Sequence, residues 1–130
     1  MADLSDYAEK LLLDFLMTTG TATRPTNWYV ALFTAAPNDA GGGTEVSAGG
    51  YARQSVAFSA AASPGGTTSN SGEVSYTASG GDYGTVTHMG IFDASSSGNL
   101  LWHGALTASK AVADGDTLTF AVGNIDLTMA

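Results

Sequence analysis

The chain has 130 residues and a net charge of −8, with four lysine and arginine residues against twelve aspartate and glutamate residues. Four scattered cations cannot neutralise a row of phosphates or an anionic lipid surface, which argues against nucleic acid and membranes as partners. Cysteine is absent, which excludes disulfides, thiolate metal sites and a cysteine nucleophile.

The N-terminal segment has the apolar spacing of an amphipathic helix. Its stripe consists of Leu4, Tyr7, Ala8, Leu11, Leu12, Phe15 and Leu16. Asp3 or Ser5 can cap the start, and Gly20 suits the end. The spacing therefore predicts a helix over about residues 4–18.

Two further apolar residues of this segment, Leu13 and Met17, lie off the main stripe. They make the apolar face wider than one sheet surface needs to cover. We therefore expect Leu13 and Met17, together with their neighbours Leu12 and Leu16, to form an interface with another subunit.

From residue 28 onward the apolar period changes from that of a helix to that of strands. Segments rich in β-branched and aromatic residues are separated by clusters of Gly, Pro, Asn and Asp that are typical of turns. The predicted strands are residues 28–34, 52–59, 73–77, 85–92, 100–106, 117–122 and 125–129, with a further short piece at 110–113. Residues 60–72 (AAASPGGTTSNSG) are predicted to form a surface loop.

About seven strands after one helix, without crossover helices between them, predict a mainly β fold with antiparallel pairing. We expect a β-sandwich or an open barrel, with the helix packed at one end. The length fits a single β-rich domain over residues 1–130.

His88 and His103 lie on two predicted strands and could share a metal ion with Asp93. The alternative is that both are half-buried strand residues bonded to neighbouring groups, and with no third ligand at a fixed spacing this interpretation is favoured.

Two acidic loops also resemble cation sites. Residues 93–98 (DASSSG) place oxygen atoms as a calcium loop does, but the position of the closing Glu is Gly104. Asp114 and Asp116 flank a glycine, which is typical of a turn. We also find no nucleophile elbow and no phosphate-binding glycine fingerprint. We therefore predict no metal, no cofactor, no catalytic residues and no enzyme activity.

Long blocks of the chain resemble a known family. They are residues 28–37 (WYVALFTAAP), 43–58 (GTEVSAGGYARQSVAF), 84–94 (GTVTHMGIFDA), 98–110 (GNLLWHGALTASK) and 114–120 (DGDTLTF). This pattern is similar to a family of small tailed-bacteriophage virion proteins, often labelled tail fibre proteins, and it covers nearly the whole chain. The resemblance implies a structural protein of the virion and supplies no catalytic or ligand residues.

Within that family, a capsid decoration or cement protein is favoured, one that binds and stabilises the assembled shell, because the chain has no long repetitive fibre shaft. The expected partners are copies of the chain itself, in a trimer, and other virion proteins such as the major capsid protein. The acidic N-terminus does not resemble a signal peptide, so synthesis in the host cytoplasm and assembly into the virion are expected.

The alternative is a tail fibre, a tail tip or an adhesin module that binds a receptor or glycan. Such a module could present an aromatic platform to sugars, although aromatic residues at strand spacing are usually part of the core. The candidate platform residues are Trp28, Tyr29, Tyr51, Tyr76, Tyr83 and Trp102.

Overall fold

A computed structural model describes residues 2–129 of the chain, and within them it has one helix and ten strands. The helix, α1, spans Asp6–Met17. The strands are β1 (Ala2–Leu4), β2 (Tyr29–Ala35), β3 (Thr44–Glu45), β4 (Gln54–Ser55), β5 (Thr67–Ser69), β6 (Val74–Thr77), β7 (Gly84–Phe92), β8 (Leu100–Val112), β9 (Thr117–Phe120) and β10 (Asp126–Thr128).

Six of these strands form one antiparallel sheet in the order β1-β8-β7-β2-β3, with β4 also paired to β2. The remaining strands form two antiparallel ribbons, β6 with β9 and β5 with β10. At the centre of the sheet, Met89 of β7 lies opposite Leu32 of β2 on one side and Gly104 of β8 on the other.

The core lies between one face of the sheet and the two ribbons. Because successive strand residues point to opposite faces, alternate apolar residues of each strand reach the same core. The buried cluster joins Val30, Leu32, Val86, Met89, Ile91 and Val112 of the sheet to Val74, Tyr76, Leu118, Ile125 and Leu127 from the ribbons and the turn beside them. The prediction of a mainly β, antiparallel fold with one N-terminal helix is therefore confirmed.

The number and length of the strands differ from the prediction, which gave about seven. The extra strands β1, β3 and β5 are two or three residues long, and Thr44–Glu45 and Thr67–Ser69 carry no apolar pattern. Their pairing with distant strands defines them, so local periodicity could not find them. For the same reason, the predicted loop at residues 60–72 contains β5, and the predicted strand at 52–59 shortens to Gln54–Ser55.

The ends of α1 also differ slightly from the prediction. Ser5 is the N-cap, and its hydroxyl accepts a hydrogen bond from the Ala8 amide at 3.1 Å. The predicted end at about residue 18 is one residue beyond the observed last residue, Met17. Thr18 rather than Gly20 is the cap, with a hydrogen bond from its hydroxyl to the Asp14 carbonyl. Residues 2–129 contain no helix of the length and apolarity needed to span a membrane.

Candidate assembly surface

The start of α1 is fixed to the sheet by hydrogen bonds. The Ser5 amide donates to the Leu101 carbonyl at 2.9 Å, and the Ser5 hydroxyl donates to the Leu100 carbonyl. The next residue, Asp6, donates its amide to the Asp39 carbonyl at 3.0 Å. Since β1 directly before the helix also pairs with β8, the direction in which α1 leaves the sheet is set at its first turn.

The second half of α1 has no comparable support. Ala8, in the first half, is the one buried residue of α1, whereas Leu13, Phe15, Leu16 and Met17 in the second half are 61%, 69%, 68% and 76% exposed. No hydrogen bond joins residues 10–27 to residues 28–129. The apolar C-terminal end of α1 is therefore exposed to solvent.

The expectation that the main stripe packs on the chain's own sheet is wrong for this half of the helix. Phe15 and Leu16 belong to the stripe, yet they are as exposed as Leu13 and Met17, which lie off it. The reason is geometric, because the hydrogen bonds that hold α1 to the sheet are made by Ser5, which precedes its first turn. Periodicity shows which residues share a side of a helix, but it does not show how far the neighbouring sheet extends.

We call Leu12, Leu13, Phe15, Leu16 and Met17 the assembly surface. At about 100° per residue, these five side chains extend more than halfway around the helix. The four predicted interface residues are all among them, with Leu12 half-buried and the others exposed. A helix that is apolar on most sides is normally covered by protein. The only polar side chain among residues 11–17 is Asp14, which pairs with Lys10 at 2.5 Å.

A second cluster, centred on Arg53, was not found from the sequence. The side chain of Arg53 is 7% exposed, and its guanidinium binds both oxygens of Glu45, at 2.8 and 2.9 Å. It also donates to the carbonyls of Ala94 and Ser97, at 2.9 and 2.8 Å, and lies 3.7 Å from the centre of the Phe92 ring. Bidentate pairing of this kind is among the strongest polar contacts in proteins.

Burial and hydrogen bonding have opposite effects on the pKa of Glu45 in this cluster. Burial alone would raise the pKa of Glu45, but hydrogen bonds from Arg53 and from the Tyr51 hydroxyl, which lies 2.7 Å away, outweigh it and lower that pKa. Burial, followed by the hydrogen bond to Glu45, raises the pKa of Tyr51. Each of the three guanidinium nitrogens of Arg53 has a partner within the chain, and together they make four hydrogen bonds, so the cluster fastens the 93–98 loop to the sheet.

The two histidines do not form a site with Asp93. The Nδ1 atom of His88 lies 2.8 Å from the hydroxyl of Thr87, and the Nε2 atom of His103 lies 2.7 Å from a carboxylate oxygen of Asp39. Across residues 2–129, no group of three or more His, Asp or Glu side chains is placed to hold a metal ion.

The acidic loops are turns. In residues 93–98, the Asp93 carboxylate accepts hydrogen bonds from the amide and the side chain of Asn99, at 2.7 and 2.9 Å. A side chain at Gly98 would approach that carboxylate to 2.6 Å, so glycine is required there. Asp114 and Asp116 accept hydrogen bonds from the backbone amides of Gly80 and Ala113.

The aromatic residues lie mainly in the core. Tyr76 and Tyr83 are buried, and the half-buried Tyr51 stacks on the first at 6.2 Å and packs edge-on to the second at 5.7 Å between ring centres. Trp28, Tyr29 and Trp102 are half-buried. The aromatic platform considered from the sequence is therefore not present as an exposed face of stacked rings.

Comparison with known proteins identifies the family. No curated protein matches the chain. The family model described as Podophage GP4 fiber I protein gp80 matches residues 3–128, which includes α1, the sheet and both ribbons. This is a structural family of phage virion proteins and not a class of enzymes. The chain therefore belongs to the family of the podophage GP4 fiber I protein gp80.

Proposed function

We propose that the chain is a fibre component of a tailed-phage virion and that the assembly surface on α1 builds it into the particle. The observation that carries the proposal is the apolar end of α1, whose residues Leu13, Phe15, Leu16 and Met17 are more than half exposed. Monomeric soluble proteins rarely expose a continuous apolar patch of this kind unless it binds something.

The length of α1 supports the same conclusion. It has 12 residues, and isolated helices shorter than about 12–15 residues are only marginally stable in water. Its N-terminal turn is held by Ser5, but four of the five apolar side chains of its C-terminal half are more than 60% exposed, and no hydrogen bond joins this half to residues 28–129. A partner that covers the assembly surface would supply that packing and would stabilise the docked state by mass action.

The role of fibre component is favoured over capsid decoration, which is the reverse of the order expected from the residues. The family description names a fibre protein, and a short domain can serve as one module of a fibre built from several chains. Capsid decoration is the second candidate, because the same exposed helix end would also suit docking on a shell. A glycan-binding adhesin is less favoured, because Tyr51, Tyr76 and Tyr83 pack against one another inside the fold.

Incorporation into virions tests the proposal. Phage that lack the gene are complemented with the normal chain, with Leu16→Asp or with Val122→Asp, and purified particles are probed for the chain. Val122 is 62% exposed and lies outside α1, in the turn after β9, which makes it a matched control for Leu16 at 68%. We expect Leu16→Asp to be produced and folded but absent from particles, and Val122→Asp to be incorporated normally.

Immunogold labelling of the same particles then separates the two locations. Label on appendages of the tail supports the fibre role, and label spread over the head supports decoration. Normal incorporation of Leu16→Asp, or no label on any part of the particle, would contradict the proposal.

A further inference from the structure

We propose that the free edge of β8 is a second docking site, which takes up an extended strand of a different virion protein. The site consists of the backbone edge of residues 106–111 and the groove beside it, which we call the edge groove. The strand that fits it has alternating apolar residues and at least one lysine or arginine. The inference goes beyond the proposed function, because it does not depend on the assembly surface.

The second half of β8 has no partner strand on one of its edges. Within residues 2–129, β1 pairs with β8 only up to Gly104, and β7 occupies the opposite edge. On the β7 side, residues 106–109 oppose the single residue Thr87, so most of their backbone groups have no ladder partner there either. Residues 106–111 contain no proline that would block pairing, and an unpaired edge is a template for another strand.

The path of the chain after β8 leaves a groove beside this edge. A turn at residues 113–116 connects β8 to β9, but the two strands do not form a hairpin, and β9 pairs with β6. The edge groove between them has a volume of about 760 Å³. Its apolar lining consists of the buried residues Met89, Leu118 and Ile125 and the half-buried residues Leu106 and Phe120.

The volume of the edge groove matches a short strand. A strand takes up about 4.8 Å between its neighbours, about 10 Å between layers and about 3.3 Å of length per residue, or roughly 160 Å³ per residue. The edge groove therefore holds about five residues. Alternate side chains of such a strand would face Leu118 and Ile125, while its backbone pairs with β8. Sheets commonly take up extended peptides in this way.

The charges at the edge groove indicate a basic strand. Asp126 lines the groove, is exposed and makes no ion pair with any residue from 2 to 129. The cation of the lining, Lys110, donates instead to the carbonyl of Thr117 at 2.7 Å. The net charge of −8 on the whole chain also attracts a positively charged segment.

A second copy of this chain does not supply such a strand. Three of its four cations, Lys10, Arg53 and Lys110, are bonded within the chain. The fourth, Arg24, lies in residues 19–27 (TGTATRPTN), which lack alternating apolar residues and include a proline that cannot donate a ladder hydrogen bond. The occupant is therefore a different protein.

A tethered strand tests the edge groove in the purified full chain. The chain is extended after Ala130 by a flexible Gly-Ser linker of about ten residues, which spans about 17 Å, and by the strand Thr-Val-Lys-Val-Thr. The control extension has proline in place of both valines. We expect the Tm to exceed that of the control by about 3 °C or more, and amide exchange at residues 106–111 to slow at least tenfold.

Equal Tm values and equal exchange in the two extended chains would overturn the docking site. The charge is tested in the same assay, because Asp126→Asn removes the partner of the lysine in the tethered strand. The rise in Tm should be smaller in that variant, and an unchanged rise would overturn the preference for a basic strand.

Photocrosslinking in virions tests the identity of the occupant. A photoreactive phenylalanine analogue replaces Ala108, which is exposed on the free edge, or Ser96, an exposed control residue in the 93–98 loop. We expect position 108 to crosslink to a different virion protein, within a segment of alternating apolar residues that includes a lysine or arginine, and position 96 to leave that segment unlabelled. No crosslink from position 108, or a crosslink only to a second copy of the chain, would overturn the proposal.

The two proposals can fail separately. If Leu16→Asp enters virions normally while position 108 crosslinks to the expected segment, the proposed role of α1 fails and the docking site on β8 stands. If Leu16→Asp is lost from virions while the tethered strand has no effect, the docking site fails and the proposed function stands.

Discussion

Replacement of Arg53 by alanine should destabilise the fold more than replacement of any other cation in the chain. The change removes four hydrogen bonds, two to Glu45 and one each to the carbonyls of Ala94 and Ser97. Loss of one partner of a buried ion pair costs about 3–5 kcal/mol. The Glu45 side chain is 27% exposed and keeps its hydrogen bond from Tyr51, so we expect a smaller loss of about 2–3 kcal/mol.

Urea unfolding followed by tryptophan fluorescence measures this loss, and a loss of that size corresponds to a fall in Tm of roughly 10 °C for a chain of this length. Arg24→Ala is the matched control, because Arg24 is exposed in the segment between α1 and β2 and should cost less than about 0.5 kcal/mol. Arg53→Lys should recover only part of the stability, since lysine cannot form the bidentate pair with Glu45. A loss below about 0.5 kcal/mol for Arg53→Ala would refute the claim that this cluster fastens the 93–98 loop.

Three further predictions concern the interior and the pH dependence of stability. Asn70→Ala should cost about 2–3 kcal/mol in urea unfolding, because Asn70 is fully buried and its amide bonds the backbone of Gly72, Ala121 and Ile125; a loss under about 1 kcal/mol would contradict this. The pKa of Glu45 is lower in the folded chain than its ordinary value of 4.5. The ionised Glu45 therefore stabilises the fold fully above pH 4.5, and this contribution is lost as the pH falls through the folded-state pKa. Glu45→Gln should accordingly lose less stability than the normal chain between pH 7 and pH 3. Burial raises the pKa of Tyr76 above its ordinary value of 10.0, so its contribution to stability is complete below pH 10.0 and is lost at higher pH. The tyrosinate absorbance of the normal chain minus that of Tyr76→Phe should rise only together with unfolding, and a rise of this difference in a chain that stays folded would contradict the prediction.

The sequence predicted those parts of the fold that depend on local patterns. Alternating apolar residues in β2 and β7 and the helical spacing of α1 follow directly from burial on one side of an element, and these elements were placed within two residues at each end. The start of β8 was also placed, but this strand runs on to Val112 and includes most of the piece predicted separately at 110–113. The polar strands β3 and β5 could not be placed, because partners far away in the chain define them and their own side chains carry no apolar period.

The same distinction explains what was found of the candidate sites. Leu13 and Met17 stood out because they break the one-sided pattern of the helix, which is local information. The Arg53 cluster joins Glu45 to the 93–98 loop across residues that only the folded chain brings together, so no spacing in the sequence pointed to it. The exposure of Phe15 was also missed, because it depends on where the neighbouring sheet ends.

Oxidative footprinting of methionine side chains in intact virions tests the central claim most directly. Met17 is 76% exposed in the isolated chain, Met129 is 48% exposed and lies far from α1 in the sequence, and Met89 is 6% exposed in the core. We predict that Met17 is oxidised quickly in the purified monomer and is protected in virions, while Met89 is oxidised slowly in both and Met129 reports the exposure of the rest of the chain. Equal oxidation of Met17 in the free monomer and in the particle would contradict the claim that the end of α1 is the surface through which the chain is assembled.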